Sequence, residues 1–417
     1  MTSKNDKITK IDQRSQHTEC SISVPYLLAL NAGLLQSKDG RYWADRSWHK
    51  DLMRHTQYIS NLTFLAPISK GVPPADFVNI PTNKIRIVGY YNNGGMIQSY
   101  LKIPLIVIKL FKEIRKTKIV HTCIAGYPFP LGWIAIPIAR LLNRKIVLTV
   151  ESSFWRIPAG EKASIFKKIK SSFWEYMNRY CLRQADYAAY PHEQYRKSLP
   201  SPRAGGGVLF QASWIEASQI VSQDEVENMW NIRSASGRTP KFLFAARMVQ
   251  EKGTRILYDA VRYIESKNLD INFDFIGIGP EIELFKKLLS SEWGKIHVNI
   301  LNPIPYGHDF FVFLRDYDAV LSPGLSDEQP RIVYDAYAGG VPSIASNMPG
   351  LAACVKDGIT GKLIPTGDVN ALANAIIFAS KNPAVLASWG KAGRNAATKF
   401  THDQMHIDRC IDIQKII

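Results

Sequence analysis

The stretch 321–347, LSPGLSDEQPRIVYDAYAGGVPSIASN, constrains the fold more than any other part of the chain. Its pattern is strand end, loop, short helix, tight stop and strand. Pro330 suits the first turn of a helix, where its missing N–H is not needed. Gly339 and Gly340 offer a left-handed stop, and 341–345 has the apolar run of a short buried strand. A helix N-terminus in such a unit presents free N–H groups and the positive end of a dipole, which suits a phosphate. Asp327 lies just before the helix and Asp335 two turns inside it, so both can face one cleft. Carboxylates there would accept hydrogen bonds from hydroxyls, as on a ribose or a sugar. On spacing alone, the same two acids also fit a solvated helix start and a surface position.

Apolar strand runs recur along the chain. They fall at 24–30, 62–66, 85–88, 119–123, 145–150, 187–190 and 208–210, and again at 242–245, 271–276, 298–301 and 319–322. Helical patterns cover 43–55, 98–116, 161–185 and the segment from 389 to the end. His121, inside one strand, reads as a packed histidine. The polar start, 1–20, lacks the apolar core of a signal peptide and reads as a disordered tail. The polar 213–240 segment reads as an inter-domain linker. That scheme gives an N-terminal domain over 21–212, a C-terminal domain over 241–395 and a terminal helix over 396–417.

At 417 residues the chain is long enough for two or more domains. Its net charge of +16 is unevenly placed. Residues 1–205 hold 31 Lys and Arg against 13 Asp and Glu, and the remainder 21 against 23. A half so basic seeks a polyanion: nucleic acid, an anionic membrane or a phosphate-bearing substrate. The five cysteines are scattered and show no C-x-x-C, which reads as reduced, unpaired and cytosolic. No apolar run reaches the ~20 residues that span a bilayer. His and Cys do not fall at ligand spacing, so no metal is expected.

Several loops carry chemistry. Arg247 and Lys252, in ARMVQEKG between a strand and a helix, form a plausible anion cradle: a fork of donors beside a point charge. Gly277 and Gly279, in GIGP, follow the next strand, where a lone GxG is by itself a weak signal. Pro303 and Ile304 follow the strand after that. Glu151 closes a strand, where open α/β sheets place their ligands. It could accept an acceptor hydroxyl's hydrogen, steady a cationic transition state, or be a plain strand-end residue. In 161–185, Lys162, Lys167, Lys168 and Lys170 interleave with aromatics including Trp174. That pattern suits a membrane interface or, equally, an ordinary helix with a solvated basic face.

The acid–seven residues–acid stretch, the octapeptide 246–253 and the GxGP turn together resemble the retaining, family 4 type of nucleotide-sugar glycosyltransferases, the glycosyl transferases group 1. The similarity is strong over about 240–375 and topological before that. Here Asp stands at both ends of the acidic motif where the family usually has Glu, and Glu151 stands where the family commonly has a histidine. The resemblance implies an α/β chain of the GT-B fold: two Rossmann-like domains face a central cleft, and the last helix crosses back to the first domain. It implies Arg247 and Lys252 on the leaving diphosphate, Asp327 on the donor sugar and Asp335 on the ribose. Glu328, Gln329, Pro330 and Arg331 would line the diphosphate through their backbone, and Pro303 and Ile304 would lie near the base.

The function expected is therefore an EC 2.4 hexosyl-type transfer from a UDP- or GDP-type sugar to a saccharide or lipid-linked acceptor, with retention. Polysaccharide or glycolipid assembly, at a peripheral site on the inner face of a membrane in the cytoplasm, is the setting expected. No other cofactor and no nucleic-acid partner are expected. Competing readings are a basic polyanion-binding protein, an inactive partner subunit, and an epimerase or phosphorylase of the same fold.

Overall fold

Several helices begin where a side chain catches the free N–H groups of the first turn. Asp45 accepts hydrogen bonds from Ser47 N at 3.0 Å and Trp48 N at 3.1 Å. It therefore ends a strand and opens a helix at a point where the sequence suggested one helix over 43–55. The computed structural model describes residues 20–91, 96–126, 128–157, 163–203, 205, 207–289 and 295–417. The tail expected over 1–20 thus lies outside the described residues except for Cys20. Two compact units emerge. The first takes residues up to Thr122, Gly126–Val147 and His406–Ile417; the second takes Cys123–Ala125 and Leu148–Met405.

In the first unit the chain runs β1 (Tyr26–Ala29), β2 (Leu34–Gln36), β3 (Tyr42–Asp45), α1 (Arg46–Tyr58), β4 (Leu62–Lys70), β5 (Phe77–Asn79) and β6 (Arg86–Tyr91). Then come α2 (Met96–Leu101), α3 (Ile103–Ile114), β7 (Ile119–Cys123), α4 (Gly132–Leu141) and β8 (Lys145–Thr149), which carries the chain into the second unit. Strand β1 pairs in parallel with β4 and β7, β4 also takes β2 and β6 in parallel, and β3 lies antiparallel to β2 and β5. A single helix over 98–116 was expected. Pro104 divides it, because its ring and missing N–H disrupt the turn before it.

His121 is packed, as its strand position suggested: it is buried, with Nδ1 2.9 Å from the Tyr26 hydroxyl. The C-terminal segment adds buried polar contacts of its own. His406 Nε2 lies 3.1 Å from Asp51 Oδ1, and its Nδ1 lies 3.2 Å from the Tyr58 hydroxyl. Cys20 and Cys410 form a disulfide, while Cys123, Cys181 and Cys354 are free and buried. This corrects the reading of all five cysteines as unpaired. Two cysteines 390 positions apart show no spacing motif, so only the fold could bring them together.

The second unit continues with α5 (Ile165–Gln184), β9 (Tyr187–Tyr190), α6 (Glu193–Ser198), β10 (Val208–Leu209) and α7 (Gln223–Ser236). Next are β11 (Lys241–Ala245), α8 (Thr254–Glu265), β12 (Ile271–Ile276), α9 (Ile282–Leu289), β13 (Ile296–Leu301), α10 (His308–Leu314), β14 (Ala319–Ser322) and α11 (Arg331–Ala338). The chain ends with β15 (Ser343–Ser346), α12 (Pro349–Cys354), β16 (Gly361–Ile364), α13 (Val369–Lys381), α14 (Pro383–Ala397) and α15 (His402–Gln414), which runs into the first unit. Strands β11 to β16 form a parallel sheet in the order β13-β12-β11-β14-β15-β16. Along β11 the side chains alternate between two apolar layers: Phe242 and Phe244 enter one, Leu243 the other. A sheet covered on both faces needs such continuous apolar strands. Helix α7, inside the polar 213–240 segment, joins this core. Its Trp230 is buried and donates to the Gly340 carbonyl at 3.0 Å.

Candidate functional site

Strand order places the site. From β11 the chain steps outward to β12 and β13, then returns to the other side of β11 as β14. The loops leaving the carboxyl ends of β11 and β14 therefore diverge at a switch point, where open parallel sheets leave a crevice for ligands. The loop after β11 carries Arg247 and Lys252, and the loop after β14 carries Asp327 to Pro330. They are tied together. Leu325 N donates to Glu251 O at 2.8 Å, and Lys252 Nζ meets Glu328 Oε2 at 2.6 Å. Gly253, at φ +76°, lets the first loop turn into α8 against the second; a Cβ there would lie 1.9 Å from the Pro323 carbonyl oxygen. Arg247 is exposed beside this junction.

The GxGP turn packs on the same loop. A Cβ on Gly277 or Gly279 would lie 1.8 Å from Ala246 O or 2.3 Å from Met248 O. Close backbone approach thus accounts for both glycines. Asp335 sits in α11, 3 % exposed, and accepts a 2.9 Å hydrogen bond from the Tyr306 hydroxyl. Tyr306 follows Pro303 and Ile304 in the loop after β13, so that loop reaches α11 through it. Arg331, at the start of α11, lies over the rings of Trp214 at 5.2 Å and Tyr306 at 5.8 Å. Two local expectations change. Pro330 is the N-cap, with extended backbone, and is not inside the first turn. Gly340 alone is left-handed, at φ +72°, whereas Gly339 is at −83°.

Gln329 has its side chain committed to the protein. Its Oε1 accepts from Ala212 N at 2.8 Å and its Nε2 donates to the Pro191 carbonyl. This one amide ties the segment beside Asp327 to the loops after β9 and β10. Asp327 is half-buried, and burial pushes its carboxyl above the ordinary range against the opposing pull of Arg156. Arg156 is itself fixed. Its Nη2 and Nε reach the two Glu175 oxygens at 2.8 and 3.0 Å, and Trp155 Nε1 adds a third bond at 2.7 Å. Burial would raise the Glu175 carboxyl, but bonds from Arg156 and Trp155 outweigh it and hold it at about 2. Ser153 N and Oγ both donate to the Tyr195 hydroxyl, at 2.9 and 2.8 Å. Glu151, at the head of this loop, is exposed.

Helix α5 differs from its sequence pattern. Trp174 is 6 % exposed and packs on Phe154, with ring centroids 5.2 Å apart. It is a core residue, so its assignment to a membrane face is corrected. Lys167, Lys168 and Lys170 are exposed, and Lys162 lies outside the described residues. What the pattern hid is that Ile165, Phe166, Ile169, Phe173 and Tyr176 are exposed as well. Tyr306 and His192 were also missed. Each is a lone polar residue in a loop near a strand end, and only the fold brings Tyr306 to the Asp335 carboxylate and the His192 ring to the Asp327 backbone.

Residues 227–396 match the family model of glycosyl transferases group 1. A phosphatidyl-myo-inositol mannosyltransferase of Mycobacterium leprae is 27% identical over 151 residues, 36% of this chain and 39% of that protein. The chain thus spans well under half the length of that relative. Sucrose-phosphate synthase from Thermosynechococcus elongatus superimposes with a TM-score of 0.65 at 17% identity, covering 94% of this chain and 99% of that one. Anabaena HepE in complex with UDP gives 0.62 at 13% identity, covering 94% and 100%. The fold is GT-B, α/β with two Rossmann-like parallel-sheet domains. The family match and the name of the Mycobacterium leprae relative are those of glycosyltransferases, and the superpositions show the fold.

Proposed function

We propose that the chain moves a hexose from a nucleoside-diphosphate sugar, of the UDP or GDP type, to a saccharide or lipid-linked acceptor in polysaccharide or glycolipid biosynthesis. The observation that carries this reading is the junction at the switch point. There Lys252 meets Glu328 and Leu325 N donates to Glu251 O, so the Lys252 loop is bonded to the segment that carries Asp327 and leads into α11, whose Asp335 accepts from Tyr306. Arg247 and Lys252 would neutralise the leaving diphosphate, the task that a metal performs elsewhere. Asp327 would accept from the donor sugar's hydroxyls and Asp335 from the ribose. No second carboxylate is assigned as a nucleophile, so front-face attack with retention, as in the family 4 type, is the mechanism proposed. The complex of HepE with UDP and the phosphatidyl-myo-inositol relative favour the donor and acceptor classes.

A position on the inner face of an anionic membrane belongs to the same reading. Three exposed lysines on α5 stand beside five exposed apolar side chains there, which suits an interface. The disulfide withdraws cysteine usage as an argument for the cytoplasm. Among the described residues no helix is long and apolar enough to cross a membrane. Titration calorimetry with UDP, GDP and ADP tests the donor site. One diphosphate should bind, and Arg247→Ala should weaken it by about 1.5–3 kcal/mol, as for hydrogen bonds to charged groups. No binding of any diphosphate, or equal binding by the variant, would sink the assignment.

A further inference from the structure

Helices α2 and α3 leave large apolar side chains in solvent, and none of the roles above uses them. On α3 the row Ile106, Leu110 and Ile114 is buried. The opposite side is apolar as well, and there Leu105, Ile108 and Phe111 are exposed. On α2, Ile97 is 77% exposed and Leu101 76%. A helix that is apolar all round is ordinarily covered all round. An exposed apolar surface of this kind marks a site of interaction.

Charge decides between the partners that could cover it. From 96 to 145 the chain has nine Lys and Arg and one acid, Glu113. Glu113 is buried and held by Arg86 and Lys116, so it shows a partner no free negative charge. Lys112, Arg115, Lys116, Lys118 and Lys145 are exposed. They gather where α3 ends and β7 and β8 begin. The Arg115 guanidinium lies 5.8 Å from the centroid of the Phe111 ring, and the Arg115 carbonyl accepts from Arg144 Nη2 at 2.9 Å. Lys145 N donates to the Lys118 carbonyl at 3.0 Å. Two copies of the chain meeting through this face would bring like charges together, and a nucleic acid has no use for the aliphatic row. We propose that α2 and α3, with the basic cluster that follows them, dock the first unit on an anionic lipid surface. The aliphatic side chains would enter between the headgroups while the cations meet the anionic groups above them. Apolar insertion and a basic cluster are the two signals that stable docking needs. The inference deepens the membrane reading with a contact in the first unit, and rests on that reading for the identity of the surface.

Sedimentation with phosphatidylserine and with phosphatidylcholine vesicles tests this on three proteins: the wild type, Leu101→Gln with Ile108→Gln, and Lys112→Gln with Lys118→Gln and Lys145→Gln. All of these side chains are exposed, and thermal melts establish that each variant is folded. The wild type should prefer phosphatidylserine by about tenfold or more. Each cation near an anionic surface is worth about fivefold, so the lysine variant should lose about tenfold or more and show a shallower salt dependence. The aliphatic variant should lose about tenfold with its salt dependence kept. Calorimetry with UDP and GDP should give the same affinities in all three. Full vesicle binding by both variants overturns the inference, and if the α5 lysine variant then loses binding, the membrane reading stands on α5 alone. A wild type that binds no vesicles overturns the membrane reading and this inference together, leaving the donor reading to the diphosphate titrations. Unchanged vesicle binding with self-association lost in the aliphatic variant, or with oligonucleotide binding lost in the lysine variant, overturns it in favour of a second copy or a nucleic acid.

Discussion

Glu328 already holds Lys252 in the free protein, and this makes a prediction with an unusual sign. The Lys252 ammonium lies 2.6 Å from the Glu328 carboxylate, with side-chain exposures of 18% and 37%. A diphosphate that reaches Lys252 must compete with that carboxylate. Because Glu328 is more than one third exposed, solvent screening limits the pair to roughly 1 kcal/mol, the upper end for surface ion pairs. Glu328→Gln releases Lys252 and removes a negative charge that repels the ligand. Affinity for the bound nucleoside diphosphate should therefore rise, by about fivefold. Lys252→Ala should lower it by about tenfold or more. In the double variant the gain from Glu328→Gln should shrink, since only the repulsion is left to relieve. Calorimetry at low and high salt measures all four proteins, and added salt should narrow the differences. A loss of affinity in Glu328→Gln as large as that in Lys252→Ala would refute the reasoning, since Glu328 would then serve the ligand directly.

Two further expectations concern the rest of the molecule. The Cys20–Cys410 bond closes most of the chain into a loop, so Cys20→Ser with Cys410→Ser should lower stability by about 2–4 kcal/mol in denaturant titrations. Counting thiols in the unreduced, denatured protein should give the three free cysteines, and a count of five would refute the bond. Replacing Lys167, Lys168 and Lys170 with Gln should weaken sedimentation with phosphatidylserine vesicles, each cation contributing about 1 kcal/mol. Nucleotide affinity should be unchanged, and vesicle binding that persists in full would remove α5 as the anchor.

Most of the C-terminal sheet was legible in the sequence because strands such as β11 and β14 are apolar runs bounded by turn residues, whereas β16, GKLI, was not among the expected strands. The expected bounds 271–276 and 319–322 coincide with β12 and β14. Legibility failed where a single side chain decides the outcome. Asp45 converts the start of an expected helix into a strand end, and Pro104 splits another helix in two. Helical spacing on α5 showed an apolar stripe but could not show which part of it is covered. Burial takes Trp174, Asn178, Cys181 and Leu182, leaving the apolar first turns exposed. At the candidate site the sequence could point to Arg247, Lys252, Asp327 and Asp335 through motif spacing. Tyr306 and Gln329 have no such spacing, because their partners lie 29 to 138 positions away.

The first unit is assembled from both ends of the chain. Asp51 and Tyr58 meet His406, and Cys20 meets Cys410, so its buried polar groups stay incomplete until the C-terminal segment arrives. During synthesis, the opening strands must wait for nearly the whole second unit to be made before this part of their interior can close. A chain cut shortly before His406 would carry every motif discussed for the donor and yet leave Asp51 and Tyr58 without that imidazole. Its failure would register as insolubility or proteolysis of the N-terminal strands, far in sequence from the cut.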